Sequence, residues 1–237
     1  MDSANANAKL KMALQHSPSI VTSGLILCVD AGNPRCYSGS GTTWADASSV
    51  GNNGTLTNGP AFTSNGASSY FTFDAVNDYW VSPTSTAFDT QTLTMDSWVY
   101  PFTTAHNGFL FEKGAVNTQY SHFFNGDGTF YFRTMNLSGQ DLTFTTSSFV
   151  NANAWNNIVS VYDGTTKYVY VNGSVVATQS SSGTLPTGQT NQYIGAYGPG
   201  VSYYLNGRIG CTKVYNIGLT GSQVLQNFNA LRGRYGI

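Results

Sequence analysis

The chain has 237 residues, 41% hydrophobic and 14% aromatic, yet only 9% charged, with a net charge of −1. A typical soluble domain carries about 25% charged residues, so Ser, Thr, Asn and Gly must supply most of the solubility here. That balance excludes nucleic acid, since no basic stripe is present to neutralise phosphates, and favours protein or sugar contacts that depend little on salt.

Residues 1–22 differ from the rest. Ala4 to Gln15 predicts a short helix with Leu10, Met12, Ala13 and Leu14 on its apolar side, ended by Pro18. So short a helix is marginal alone: residues 1–22 read as either a disordered leader or an arm that orders on a partner, and we favour the arm. Lys9 and Lys11 interrupt any leader-like apolar core. The longest apolar run, Leu25 to Val29, is far short of a membrane span.

From Gly24 onward the pattern predicts strand after strand: Leu25 to Asp30, Tyr70 to Asp74, Tyr79 to Ser82, Leu93 to Pro101, Gly108 to Lys113, Tyr120 to Phe124 and Thr129 to Thr134. Leu142 to Thr145 follows. Trp155 to Val176 then reads as a strand, a break at Asp163-Gly164, and a hairpin closed by Asn172-Gly173, the dipeptide suited to a type I′ turn. Gln192 to Tyr197, Tyr204 to Leu205 and Arg208 to Tyr215 complete the set. Short strands separated by Gly/Asn/Pro turns indicate an all-β sandwich formed by residues 23–237. One helix is expected near the end, where Thr220 and Gln223 fit a capping box, Val224, Leu225, Phe228 and Leu231 form an apolar stripe, and Gly233 supplies a stop.

The residues that carry chemistry are few. Glycoside hydrolysis needs two carboxyl groups in defined roles, and Glu112 is the single glutamate, expected to pair with Lys113 at the surface. His16 falls in the arm, and His106 and His122 read as ordinary surface or satisfied polar residues. Cys28, Cys36 and Cys211 are too few for a disulfide framework and lack the C-x-x-C spacing of a zinc site, so they are expected as buried thiols. Arg232 and Arg234, beside Tyr235, predict a solvated tail or surface packing. Tyr197, Tyr203 and Tyr204 around Gly198-Pro199-Gly200, with Trp80 and Tyr120, are the aromatic candidates for contact with a sugar or a protein partner.

Several segments carry a family resemblance: Gly24-Leu25-Ile26-Leu27 running into Asp30-Ala31-Gly32-Asn33-Pro34; Phe71-Thr72-Phe73-Asp74 through Asp78-Tyr79; Leu93 to Pro101 around Trp98; Trp155 to Gly173; and Asn206-Gly207-Arg208-Ile209 through Leu219-Thr220. Together they resemble the laminin-G-like, concanavalin A-like lectin/glucanase sandwiches of the type found in phage virion surface proteins, over roughly residues 24 to 234. The resemblance implies a two-sheet antiparallel jelly roll with one short C-terminal helix. It also implies a core role for Trp98 and neighbouring first and last strands, which would bring Cys28 close to Cys211. Related domains sometimes hold calcium at the rim, and Asp74, Asn77 and Asp78 are the best-matched oxygen donors; the alternative is that they cap their own turn.

The leading expectation is a non-catalytic virion protein of a tailed phage, a capsid decoration or fibre-type component. It would dock through Leu10, Met12 and Leu14 on other virion proteins such as the major capsid protein, and would form a homo-oligomer. A lectin-like module for host-surface glycans is the alternative. A polysaccharide hydrolase or lyase comes third, disfavoured by the lone glutamate.

Overall fold

Strand alternation sends every second side chain to one face, and in this chain that division builds two sheets around a shared apolar layer. The computed structural model describes residues 18–114, 120–188, 190–198 and 202–237. The expected arm helix with Leu10, Met12 and Leu14 lies outside them.

The strands are β1 (Leu25–Asp30), β2 (Thr43–Trp44), β3 (Gly54–Thr57), β4 (Ala61–Thr63), β5 (Tyr70–Asp74), β6 (Tyr79–Ser82), β7 (Leu93–Pro101) and β8 (Gly108–Lys113). They continue with β9 (Tyr120–Phe124), β10 (Thr129–Thr134), β11 (Asp141–Thr145), β12 (Asn156–Tyr162), β13 (Thr166–Val171), β14 (Ser174–Ser180), β15 (Gln192–Ile194) and β16 (Asn206–Tyr215). The helix α1 spans Gly221–Tyr235.

One sheet runs β14-β13-β12-β7-β16-β5-β4, with β1 paired to β16, and the other runs β11-β10-β9-β8-β15-β6-β3-β2. Every pairing between these strands is antiparallel. The long closing strand β16 takes β7 along one side, and β5 and β1 in turn along the other. Phe71, Phe73, Met95, Val99, Ile158 and Val214 from the first sheet meet Trp80, Phe111, Phe124, Phe130, Phe132 and Ile194 from the second in one continuous core. Burial on this scale offsets the ordering cost of the chain.

The predicted strands over residues 25–134 lie where the pattern put them, and Asn172 and Gly173 take φ of 51° and 79°, as a type I′ turn demands. Three short strands, β2 to β4, were not expected; they lie in a Thr/Gly-rich stretch without apolar alternation. Tyr204 to Leu205 is not a strand: Tyr203 stands at a left-handed φ of 61°, which breaks extension before β16 begins.

Thr220 caps α1 through the expected capping box with Gln223. Gly233 does not stop the helix. Arg234 makes a bidentate pair with Asp30 and Tyr235 stacks 4.3 Å from Trp98, so α1 is held down until Gly236, which closes it at a φ of 75°. Trp98 is fully buried as expected, but beneath α1 on the outer face of its sheet, with Phe228 on its other side at 5.8 Å. Cys28 and Cys211 do reach neighbouring strands, and both are free thiols, as is Cys36. No described helix is long and apolar enough to cross a membrane.

Candidate ligand-binding cleft

The outer face of the second sheet carries an aromatic cleft. Along β9 and β10 the inward positions are taken by Phe124, His122, Phe130 and Phe132, which leaves Phe123, Tyr131 and Arg133 pointing away from the core. Register places Phe123 directly opposite both Phe109 on β8 and Tyr131 on β10. The three rings therefore stack in a row, nearly parallel, with centroids 4.3 Å and 5.2 Å apart. They form the floor of a cleft of about 400 Å³.

Tyr197 and Tyr203 make one wall, 5.1 Å and 6.5 Å from the Phe109 ring, while Asn107 and Asn125 place amides on the rim. Asn107 also accepts the Gly126 N–H through its Oδ1 at 2.9 Å, which fixes one amide. Arg133 lies over Phe123 and Tyr131 at 5.4 Å and 5.6 Å and donates two hydrogen bonds to Asp141, at 2.7 Å and 2.9 Å. Those bonds raise the guanidinium further above its usual range, and the charge is already neutralised at the cleft.

The wall is tied to the sheet. Gly195 N–H donates to Phe109 O, Leu205 N–H donates to Gly195 O, and Tyr197 bridges to Ser202. Glu112 adds a further tie: its Oε2 accepts the Gly198 N–H at 2.5 Å. Glu112 is fully buried, and burial pushes its carboxyl up to about 8. The expected surface pair with Lys113 does not form, because consecutive strand residues face opposite ways. Lys113 is buried on the inner side, where it pairs with Asp89.

The aromatic candidates separate cleanly. Tyr197 and Tyr203 line the cleft, and Tyr203 is 47% exposed; Tyr204 is half-buried and stands outside the lining. Trp80 and Tyr120 are core residues rather than contact residues. The Trp80 indole donates to Trp44 O, the Tyr120 hydroxyl donates to Phe88 O, and both side chains are sealed from solvent. Phe109, Phe123, Tyr131 and Arg133 were missed, although the alternation of β10 with Phe130 and Phe132 already set Tyr131 and Arg133 on the opposite face.

At the predicted calcium turn, Asp74 Oδ1 accepts the Val76 and Asn77 N–H groups, and buried Asp78 accepts the Asp74 N–H. Burial, with Asp74 nearby, pushes Asp78 up to about 6. The three residues thus close their own turn, and no cluster of three His, Cys, Asp or Glu suited to a metal occurs among the described residues. Of the two readings for His122 the satisfied polar one holds: it sits in the core between Ser97 and Ser160 at 3.2 Å and 3.3 Å, and burial holds it down to about 3. His106 is half-buried and accepts the Asn206 N–H.

A family profile described as the concanavalin A-like lectin/glucanases superfamily matches residues 65–225. The chain belongs to that superfamily. No curated protein matches it. Among solved structures, the binding domain of Paraclostridial Mosquitocidal Protein 1 superposes with a TM-score of 0.67 at 15% identity, covering 87% of this chain and 52% of that one. The binding domain of Botulinum Neurotoxin DC, solved in complex with SialylT, gives 0.65 at 13%, covering 89% and 52%. Domain 4 of the Geobacillus stearothermophilus arabinanase AbnA, solved with arabinotriose, gives 0.67 at 14%, covering 87% of this chain and 99% of that domain. The chain thus spans about half the length of the two toxin binding domains. At these identities the likeness shows the fold.

Proposed function

We propose that this sandwich is a non-catalytic carbohydrate-binding module and that the Phe109–Phe123–Tyr131 cleft is its saccharide site. One observation carries the reading: a row of three stacked rings, flanked by Tyr197 and Tyr203 and with amide groups on the rim, lines the cleft with apolar aromatic surface beside hydrogen-bonding groups, which matches the apolar face and the hydroxyl edge of a sugar ring. Because Asp141 neutralises Arg133, the cleft suits a neutral oligosaccharide. The complex of the AbnA domain with arabinotriose, on the same fold, supports the choice of ligand class.

A catalytic role is disfavoured by the position of Glu112. Bond cleavage by a retaining or inverting mechanism needs two carboxyl groups flanking the sugar, whereas Glu112 is buried and engaged with Gly198. Titration calorimetry against a panel of neutral oligosaccharides, arabinotriose included, tests the reading, with reducing-sugar release measured alongside. Saturable binding without release supports it; release abolished by a carboxylate substitution refutes it.

The setting we propose is the surface of a tailed-phage virion. There residues 1–22, through Leu10, Met12 and Leu14, would seat a homo-oligomer on the major capsid protein while the sandwich faces host-surface glycans. Deleting residues 1–17, which keeps Val21 on Asn227 and Tyr215, is expected to abolish incorporation into particles while leaving the sandwich folded; normal incorporation of the truncated chain removes the arm from the account.

A further inference from the structure

A second aromatic surface lies on the opposite sheet, and it holds a cation. Arg208, near the start of β16, is register-paired with Tyr100 on β7 and Thr72 on β5. Its guanidinium rests against the rings of Tyr100, Tyr70 and Phe102, at 4.7 Å, 4.8 Å and 5.3 Å from their centroids. Trp155 extends the platform, 5.7 Å from Tyr100 and 5.8 Å from Tyr70. All five side chains are half-buried, so the platform is shaped by its own packing and still meets solvent.

The contrast with two other arginines is informative. Arg133 and Arg234 each hold a carboxylate through two hydrogen bonds. Arg208 has neither an ion pair nor a hydrogen bond among the described residues, and its Nε is buried without a partner. Asp74 occupies the next outward position on β5, but its Oδ1 is already taken by the Val76 and Asn77 N–H groups. A guanidinium fixed by ring contacts keeps its in-plane N–H donors free and spends little entropy on orientation, which is the arrangement that receives two oxygens of one oxyanion in bidentate fashion.

We propose that Arg208 anchors a second ligand site, which takes the carboxylate or sulfate group of an acidic saccharide and stacks its sugar ring on Tyr100 and Trp155. A saccharide fits better than an acidic peptide strand. The platform lies over β5, β16 and β7, all paired on both sides, so it offers no free strand edge for backbone pairing. The site is separate from the cleft, which lies on the other sheet, and stands or falls independently of it.

Trp44, Trp80 and Trp98 are fully buried, so quenching of tryptophan fluorescence by an added saccharide reports on Trp155. The full chain would be titrated with a hyaluronan hexasaccharide, whose anions are carboxylates, a heparin disaccharide, which adds sulfates, and neutral maltohexaose. Binding of at least one acidic probe is expected. It should weaken about tenfold or more in Arg208→Gln and with rising salt, less in Arg208→Lys, and be unchanged in a Tyr131→Ala/Tyr197→Ala cleft variant. The stronger of the two acidic probes identifies the anion. Circular dichroism confirms that the variants are folded, and Arg208→Lys keeps the charge if Arg208→Gln does not fold. The proposal is overturned if wild-type protein binds neither acidic probe, if Arg208→Gln binds them equally well, or if the cleft variant abolishes binding. It is likewise overturned if only a polyglutamate peptide binds with Arg208 dependence.

Discussion

Asp96 and Lys213 stand directly opposite each other on β7 and β16 and form an ion pair at 3.2 Å with both side chains withdrawn from solvent. Asp96 also accepts from Asn157 at 2.7 Å and from Asn227 of α1 at 3.2 Å. Asn227 in turn accepts the Val21 N–H and donates to the Tyr215 hydroxyl. One buried carboxylate therefore joins the sheet, the C-terminal helix and the segment leading into β1. Burial acts to lower the Lys213 ammonium, but the Asp96 carboxylate together with Cys211, Tyr215 and Cys28 outweighs it, and the group is driven well above its usual range.

Removing one partner of such a pair leaves an uncompensated buried charge. Asp96→Ala is expected to cost about 3–5 kcal/mol. The double variant Asp96→Leu/Lys213→Met should recover much of that loss, since apolar replacement of a buried pair is often near neutral. Urea unfolding followed by circular dichroism checks both; equal losses in the single and double variants would show that packing, not charge, dominates the node.

Glu112 gives stability a pH dependence. Its folded value of about 8 lies above the ordinary carboxyl value of 4.5, so the neutral form is favoured by folding. Its contribution is full below 4.5 and is lost as pH rises through about 8. Glu112→Gln is expected to abolish this decline, which amounts to a few kcal/mol in order of magnitude, while keeping the hydrogen bond from Gly198. Parallel pH–stability curves for wild type and variant would contradict the assignment.

His122 acts at the other end of the scale. Held down to about 3 in the folded chain, it remains neutral there while the unfolded chain takes up a proton near pH 6.5. Its contribution is present above pH 6.5 and is lost as pH falls through about 3. His122→Gln should flatten the acid limb of the stability curve, measured by thermal melts between pH 3 and pH 7.

Asp141 sets the charge of the cleft. Asp141→Asn frees the Arg133 guanidinium, so in an Arg208→Gln background the variant is expected to acquire affinity for acidic oligosaccharides at little cost in stability, since a half-exposed pair contributes about 1 kcal/mol or less. Calorimetry with the same acidic and neutral probes checks this; no gain for acidic ligands would mean that Arg133 is not presented to the cleft.

The architecture was legible because its signals are local. Alternation in β5 to β10, the Asn172-Gly173 turn and the Thr220/Gln223 cap each specify structure within a few residues. The helix end at Gly236 was not legible, because Arg234 and Tyr235 are held by Asp30 and Trp98, far away in sequence. The cleft was half legible. Tyr197 and Tyr203 announced themselves through the glycine-rich loop, whereas Phe109, Phe123 and Tyr131 become a floor only when three strands fall into register. Trp80 and Tyr120 misled for the converse reason: a large aromatic with a polar tip looks the same in sequence whether its partner is a ligand or a buried carbonyl.

The most direct test is a neutral-glycan array probed with wild-type protein and with Tyr131→Ala/Tyr197→Ala, two half-buried positions whose truncation spares the core. The account predicts saturable binding of wild type to one class of neutral oligosaccharide and its loss in the folded double variant. Undiminished binding by that variant, or none by wild type to any neutral glycan, would contradict it.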